Sequence, residues 1–357
     1  MTHLNKLQTR LSEIGADAVI VSSELSQRYL SGFAYTDGYL LISPTRAIML
    51  ADFRYTEAAK KEVKDFEIIE PQGTMLGELY RLMLAEGYEN VAIEEKELTL
   101  ADYENMCSQM PKANLIKGAS ALIENLRIVK DAEEIAIIAE AQRMTDLAFE
   151  HILKFINRNV TEREIAIELE FFMRKLGAET IAFDTIAVSG AASSLPHGVP
   201  RDVKIENGFL TMDFGARYNG YCSDMTRTVV IGTADEDIKK VYNTVLSAQL
   251  AALDKIQAGM LCRDADEIAR SVIREAGFGP AFGHSLGHGV GMFIHESPSV
   301  SPKSPEDIRL APGNVVTVEP GIYLEGKYGC RIEDMIAIND DGTVHNFTKS
   351  PKNLIEI

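Results

Sequence analysis

The sequence predicts two domains of different class, an α/β N-terminal domain over residues 1–125 and an α+β C-terminal domain over residues 126–357. Three observations carry this expectation. Helical and strand-like apolar patterns alternate through roughly the first 120 residues, as in a sheet with interleaved helices. Beyond Gly177 the hydrophobic period changes from helical to strand-like. Finally, Asn219-Gly220 separates two strand-like runs, and this dipeptide suits the tight turn of an antiparallel hairpin.

In the N-terminal domain a polar helix ends at Gly15, and strands follow at Ala18 to Val21, Tyr39 to Ile42, Ala47 to Leu50 and Asn90 to Glu94. Nothing in it concentrates metal ligands or a phosphate loop. Arg127 to Lys130 reads as a charged, exposed segment, which places the boundary near Leu122 to Lys130. The second domain opens with a helix from Asp131 to about Asn157 and another from Thr161 to Gly177, where Thr161 and Glu164 form a capping box. Strands are expected at Thr180 to Val188, Phe209 to Asp213 and Tyr221 to Ile231. Helices over Asp235 to Gln257 and Asp264 to Glu275 lead to strands at Val315 to Glu319 and Cys330 to Ile338.

The chain has 357 residues, 46% apolar and 25% charged, an ordinary globular composition with room for two cores. Its 36 basic and 53 acidic residues give a net charge of -17, which repels nucleic-acid phosphates and anionic lipid surfaces. Neither is expected as a partner. The first ten residues lack a signal-peptide pattern and no stretch reaches the length of a membrane span, so a cytoplasmic location is expected. Four cysteines without a C-x-x-C fit reduced thiols.

Four acids stand in or beside apolar strands, Asp213, Asp224, Glu319 and Glu333, where an unpaired buried carboxylate is strongly disfavoured. Two divalent cations would neutralise them, four charges against four. The segment Gly283-His284-Ser285-Leu286-Gly287-His288-Gly289-Val290-Gly291 offers an imidazole on a glycine-rich backbone, and His288 is the candidate. An oxygen-rich set with one nitrogen suits manganese or cobalt, with zinc and iron left open. Such a pair of ions, about 3.5 Å apart, activates a bridging water toward hydroxide, and Glu319 is the natural proton shuttle. The pattern also repeats internally. Thr211-Met-Asp213-Phe-Gly215 and Gly220-Tyr-Cys222-Ser-Asp224-Met225 are answered by Thr317-Val-Glu319-Pro-Gly321 and Gly329-Cys330-Arg331-Ile-Glu333-Asp-Met335.

Taken together, these residues, with Ile294-His295-Glu296, Val318-Glu319-Pro320-Gly321 and Arg331-Ile332-Glu333-Asp334, resemble the pita-bread metallopeptidases, the group of methionine aminopeptidase, aminopeptidase P and prolidase. The resemblance spans about 230 C-terminal residues. It implies a curved, mainly antiparallel sheet backed by helices, and Asp213, Asp224, His288, Glu319 and Glu333 as metal ligands with Asp224 and Glu333 bridging. It also implies a substrate site lined by His197, His284 and His295, a supporting role for Arg331 beside the bridging carboxylates, and a homodimer. The N-terminal α/β domain is similar in layout to that of aminopeptidase P, prolidase and creatinase. Since creatinase lacks the metal set, the likeness points to a peptidase cutting before proline, an aminopeptidase P-like or Xaa-Pro dipeptidase activity on short peptides. Some prolidases carry an arginine shortly after the His-Glu pair. Here Ser297-Pro298-Ser299-Val300 occupies that stretch, which leaves substrate length open.

Competing readings have weaker sequence support. Gly283-His284-Ser285-Leu286-Gly287 fits the serine-hydrolase elbow, but glycines follow where that motif needs a helix. His295-Glu296 begins a zincin motif, but Ser299 replaces its second histidine. A non-catalytic peptide-binding module on the same fold would be expected to have lost ligands. Taken singly, Asp213 or Asp224 could be a turn residue and His197 an ordinary loop histidine. His3, His151 and His345 read as surface or packing residues, and Cys222 and Cys330 as inert buried thiols.

Overall fold

The computed structural model describes all 357 residues, which divide into two compact units, Met1–Arg127 and Ile128–Ile357. The first unit holds strands β1 (Ala18–Val21), β2 (Gly38–Ile42), β3 (Ala47–Ala51), β4 (Glu67–Ile69), β5 (Asn90–Ile93) and β6 (Asn114–Ile116). They form one mixed sheet in the order β4-β3-β2-β1-β5-β6. Helices α1 (His3–Arg10), α2 (Glu24–Ser31), α3 (Phe53–Glu62), α4 (Met75–Glu86), α5 (Leu100–Gln109) and α6 (Ala119–Arg127) alternate with it. Every residue of β1 and β3 is buried, so their uninterrupted apolar runs mark strands covered on both faces. The first helix gives way to a 3-10 turn, and Gly15 stops it with φ 67°, a left-handed conformation that costs glycine little. Glu94 is buried just after β5, where its carboxylate accepts hydrogen bonds from the Ser22 and Ser23 amides and so closes the end of β1.

The second unit opens with two helix pairs separated by strands. Helices α7 (Ala132–Phe155) and α8 (Glu162–Lys175) come first, and α9 (Glu236–Lys255) and α10 (Cys262–Glu275) follow. The expected capping box forms at Thr161, whose hydroxyl accepts from the Glu164 amide while Glu164 accepts from the Thr161 amide. Asp131 and Glu134 make the same reciprocal cap on α7. No helix is long and apolar enough to cross a membrane.

Three of the strands expected in this unit break in two. The expected strand over 180–188 is two, β7 (Thr180–Ile181) and β8 (Ile186–Ser189). After β9 (Gly208–Phe214) and β10 (Ala216–Tyr218), the expected run over 221–231 is also two, β11 (Tyr221–Cys222) and β12 (Met225–Ile231). Beyond β13 (Gly287–Gly289) and β14 (Glu296–Val300), β15 (Val315–Val318) gives way to β16 (Gly321–Leu324). The run expected over 330–338 divides into β17 (Tyr328–Arg331) and β18 (Asp334–Ile338), and β19 (Val344–Asn346) ends the set. All pairings in these sheets are antiparallel.

The breaks are aligned across neighbouring strands. Strands β8, β9 and β12 form one sheet and β7, β10 and β11 another, and the chain passes between the two at 182–185, at Gly215 and at 223–224. A Cβ on Gly215 would lie 1.9 Å from the Ser223 carbonyl oxygen, so only glycine permits the backbones to pass there. In the later half, the breaks fall at 319–320 and 332–333. Each half thus has the same order: a helix pair, an outgoing strand, a hairpin, and a returning strand. The repetition extends beyond the motifs visible in sequence, since the second helix of each pair has 14 residues. Two separate apolar clusters match it. One packs α7 and α8 on β8, β9 and β12 through Phe149, Leu169 and Leu210, and the other packs α9 and α10 near β15 to β18 through Val245, Ile273 and Val318.

Lys130 corrects the expectation of an exposed segment, for it is only 4% exposed. Its amide donates to the Gly313 carbonyl, and its ammonium meets Glu296. Gly215→Ala is expected to destabilise the protein by about 1–3 kcal/mol, since the added methyl group has no space to occupy. Urea unfolding monitored by circular dichroism measures it, and an unchanged midpoint would show that the close approach is not a constraint.

Candidate metal centre

The broken strands bring the chemistry together. Asp213 lies next to last in β9, and Asp224 sits in the gap before β12. Glu319 follows β15 directly, and Glu333 sits in the gap before β18. Two successive breaks therefore place one acid on each arm of each hairpin. His288 is the middle residue of β13. A Cβ at Gly287 would lie 2.1 Å from the Thr317 carbonyl oxygen, and one at Gly289 2.4 Å from that of Ser297. Glycine on both sides lets β13 slot between β14 and β15.

His288 is oriented by its own backbone. Its Nδ1 lies 3.1 Å from the Gly289 carbonyl oxygen, an acceptor, so Nδ1 carries the proton and the Nε2 lone pair faces the acids. That nitrogen is 3.6 Å from Asp224 Oδ2 and 3.5 Å from Glu319 Oε1. Burial, then the neighbouring His295, pushes the His288 pKa down to about 4, so the ring is a neutral donor at physiological pH.

The acids are in the opposite situation. Burial raises the Asp224 carboxyl well above the usual range, and Glu333, Asp213 and Glu319 add repulsion. Burial, then Glu319 and Asp213, does the same to Glu333. Burial raises Glu319 to about 8, although Arg331 pulls the other way. Asp213 Oδ2 accepts from Arg331 Nη2 at 2.6 Å, while its Oδ1 is buried with no hydrogen-bond partner. Ligand atoms of Asp224, His288 and Glu333 all lie within 4.8 Å of one another. Clustered acids, a neutral imidazole and an orphaned carboxylate oxygen fit a divalent-cation site.

Two hydroxyls orient the carboxylates. Thr226 Oγ1 accepts from Arg331 Nε at 2.9 Å and therefore donates to Glu333 Oε2 at 2.7 Å. Thr317 Oγ1 accepts from the His288 amide and donates to Glu319 Oε1 at 3.2 Å. Sequence reading missed both threonines, although each lies two positions from one of the acids, Thr226 from Asp224 and Thr317 from Glu319. It also missed Tyr323. His284 Nδ1 lies 2.8 Å from the Ser285 carbonyl, which leaves Nε2 to accept from the Tyr323 hydroxyl at 3.1 Å; that hydroxyl in turn accepts from Arg331. His284, its pKa lowered to about 4 first by burial and then by Arg331, thus has both nitrogens occupied.

A cleft of about 670 Å³ opens over these groups, within the size range of ligand pockets. His197, His284, His288 and His295 line it together with Asp213, Asp224, Glu319, Arg331 and Glu333. The loop carrying His197 is anchored by Arg201, whose guanidinium grips the buried Glu162 at 2.6 and 2.8 Å. The His295 ring stands edge-on to that of His288, centroids 4.4 Å apart. Phe183, Ile186, Val199, Pro200 and Ile294 supply an apolar wall. Ser285 is followed by strand β13, not a helix, and the ring nitrogens of the adjacent His284 are engaged elsewhere, so the elbow reading has no structural basis.

The chain matches the metallopeptidase family M24 over residues 136–340 and the creatinase/prolidase N-terminal domain over residues 3–129. It is 43% identical to Uncharacterized peptidase YqhT of Bacillus subtilis, over 99% of each chain. Its structure is similar to that of the Xaa-Pro dipeptidase from Bacillus anthracis, with a TM-score of 0.95, 44% identity and 99% coverage of each chain. It is likewise similar to X-Pro aminopeptidase from Thermotoga maritima, with a TM-score of 0.91, 38% identity, and coverage of 98% of this chain and 100% of that one. A family match across more than half the chain, on a fold that gathers four carboxylates and one imidazole in one cleft, makes this chain a member of metallopeptidase family M24, with a creatinase/prolidase-type N-terminal domain.

Proposed function

We propose that the chain hydrolyses the peptide bond preceding proline in short peptides, using two divalent ions held by Asp213, Asp224, His288, Glu319 and Glu333, with Asp224 and Glu333 shared between them. The observation that carries this reading is the crowding of Asp224, Glu319 and Glu333 around His288, with Asp213 Oδ1 left unpaired. Such ions, when bound, supply Lewis acidity at the scissile carbonyl and make a water nucleophilic near neutral pH. The oxygen-rich donor set favours manganese or cobalt.

The protein's own groups handle the protons and the substrate. Glu319, held by the Thr317 hydroxyl, takes a proton from the attacking water and delivers it to the departing proline nitrogen. Arg331 holds Asp213 through an ion pair and, through Thr226, aligns Glu333. His295, which lines the cleft beside His288, donates to the carbonyl oxygen as negative charge develops. His197, also in the lining, orients the peptide. His284, locked through Tyr323, serves as a fixed wall for the substrate. The apolar residues opposite receive the proline ring. Arg331 is the only arginine or lysine lining the cleft and is already paired with Asp213, so no free guanidinium or ammonium there selects for a dipeptide's carboxylate. Xaa-Pro dipeptides and Xaa-Pro-Yaa tripeptides should both be cut, in line with the two activities named for the B. anthracis and T. maritima proteins.

Both substrate lengths can be assayed after chelation and re-addition of manganese, cobalt or zinc. Turnover is expected on each length, highest with manganese or cobalt, and failure on every Xaa-Pro peptide with every metal would sink the proposal. Asp224→Asn is expected to lower kcat/KM by more than about 100-fold and to reduce bound metal measured by mass spectrometry. Full activity with normal metal content would exclude a shared ligand at Asp224.

The metal-free protein should also show a diagnostic pH dependence. Because folding raises the pKa of Asp224, Glu319 and Glu333, the stability they contribute is present at low pH and lost as pH rises; for Glu319 it is complete below the unfolded value of 4.5 and lost as pH rises through about 8. His284 and His288, lowered from 6.5 to about 4, act in the opposite sense: their contribution is complete above pH 6.5 and lost as pH falls through 4. Between pH 6.5 and 8 only the carboxylates change, so the unfolding midpoint of chelated protein should fall. Glu319→Gln should flatten part of that fall, and identical slopes for the two proteins would remove Glu319 from the cluster.

A further inference from the structure

Lys130 and Glu296 form an ion pair with Nζ and Oε2 3.2 Å apart, their side chains only 1% and 5% exposed. Burying two charges costs desolvation on both, and well-packed apolar residues often stabilise as much or more. A stability gain is therefore a poor account of this pair, and its position suggests a different one. Glu296 directly follows His295. Its second oxygen, Oε1, accepts from the Phe293 amide at 3.0 Å, closing the carboxylate over the turn that presents Ile294 and His295 to the cleft. The foot of this turn is fixed as well. The Gly291 carbonyl accepts from the Cys222 amide at 2.8 Å, two residues before Asp224, and the Gly291 amide donates to the Phe293 carbonyl at 3.2 Å.

The fit around the pair leaves no slack. A Cβ on Gly291 would lie 2.5 Å from Glu296 Oε2 and 3.0 Å from Lys130 Cε, so the ion pair fills the space a side chain would take. Lys130 is tethered in turn, its amide donating to the Gly313 carbonyl at 2.8 Å. The pair thus connects the segment leading into α7 to the one turn whose apex is His295, and that ring lies against His288.

We propose that Lys130, through its ion pair with Glu296, is a positioning residue that holds the Phe293–Glu296 turn so that His295 meets the substrate. This rests on the assignment of His295 to substrate contact. Lys130 itself touches no reacting atom, and its effect passes entirely through the turn. A shift of about an ångström in a substrate-contacting group can cost as much as about 100-fold in rate.

The test is a double-mutant cycle in the full-length, metal-loaded enzyme with Lys130→Met and His295→Ala. Lys130→Met is expected to lower kcat by about tenfold or more with little change in KM or metal content, and Lys130→Arg to restore most of the loss. In the His295→Ala background, adding Lys130→Met should change kcat by less than about twofold, because the group it positions is already gone. Equal fold-losses in both backgrounds would overturn the positioning role and leave the function of His295 standing. A His295→Ala enzyme as active as the unmodified one would overturn both. If Lys130→Met does not fold, Glu296→Gln takes its place in the same cycle. A readout independent of turnover is the ring carbon resonance of His295, assigned by its loss in His295→Ala. It should move in Lys130→Met with or without metal, and an unmoved resonance would count against the proposal.

Discussion

Four carboxylates in a buried cleft repel one another, and most of the second unit is arranged to keep them there. Asp224 and Glu333 are buried and raised in pKa by burial and by their neighbours, so an isolated protein bears a cost that cations relieve. The surrounding side chains distribute that cost. Arg331 meets Asp213 on one side and, through the Thr226 hydroxyl, Glu333 on the other. A single guanidinium thereby fixes two of the acids without occupying the space between them.

The duplicated arrangement explains how so many acids reach one place. A continuous strand would send successive side chains to opposite faces, and a carboxylate on an apolar strand would normally face outward. Breaking each returning strand at a two-residue gap frees Asp224 and Glu333 from that alternation. The two halves are then stitched across the gaps: the Glu333 amide donates to the Thr226 carbonyl at 3.1 Å, and Thr228 Oγ1 donates to the Arg331 carbonyl at 2.9 Å. Each half's acids are thus positioned partly by the other half.

Arg227 closes this arrangement from behind. Its guanidinium has five N–H groups and five acceptors: the carbonyls of Thr226, Glu333, Ser350 and Pro351, and the Asp334 carboxylate. Asp334 also accepts from Asn346 and Lys352, so this buried carboxylate is fully compensated and is held below its ordinary pKa by Arg227 and Lys352 despite its burial. Two neighbouring acids, Glu333 and Asp334, therefore have opposite fates. One is paired with Arg227 and Lys352, and the other is raised in pKa by burial and by Glu319 and Asp213.

Local sequence already determined the helices of the second unit, the Thr161 cap and the hairpin at Asn219-Gly220, and singled out the four acids and His288 as candidates, because periodicity, capping chemistry and turn preference are short-range properties. It also carried the doublet of acid-bearing motifs. What it could not determine was where strands break, since Ser223-Asp224 and Ile332-Glu333 lie inside apolar runs that read as continuous, and the close passage that requires Gly215 becomes visible only when the hairpin folds Ser223 back onto it. Lys130 shows the same limit: a lysine in a charged segment has no local reason to be buried, and only the approach of Glu296 from a distant strand supplies the partner that permits it. Residue type and spacing selected the chemistry. Tertiary contact decided which charged groups are paired, which stay unpaired, and which hydroxyls aim them, because these depend on dielectric surroundings and partners that no short window contains.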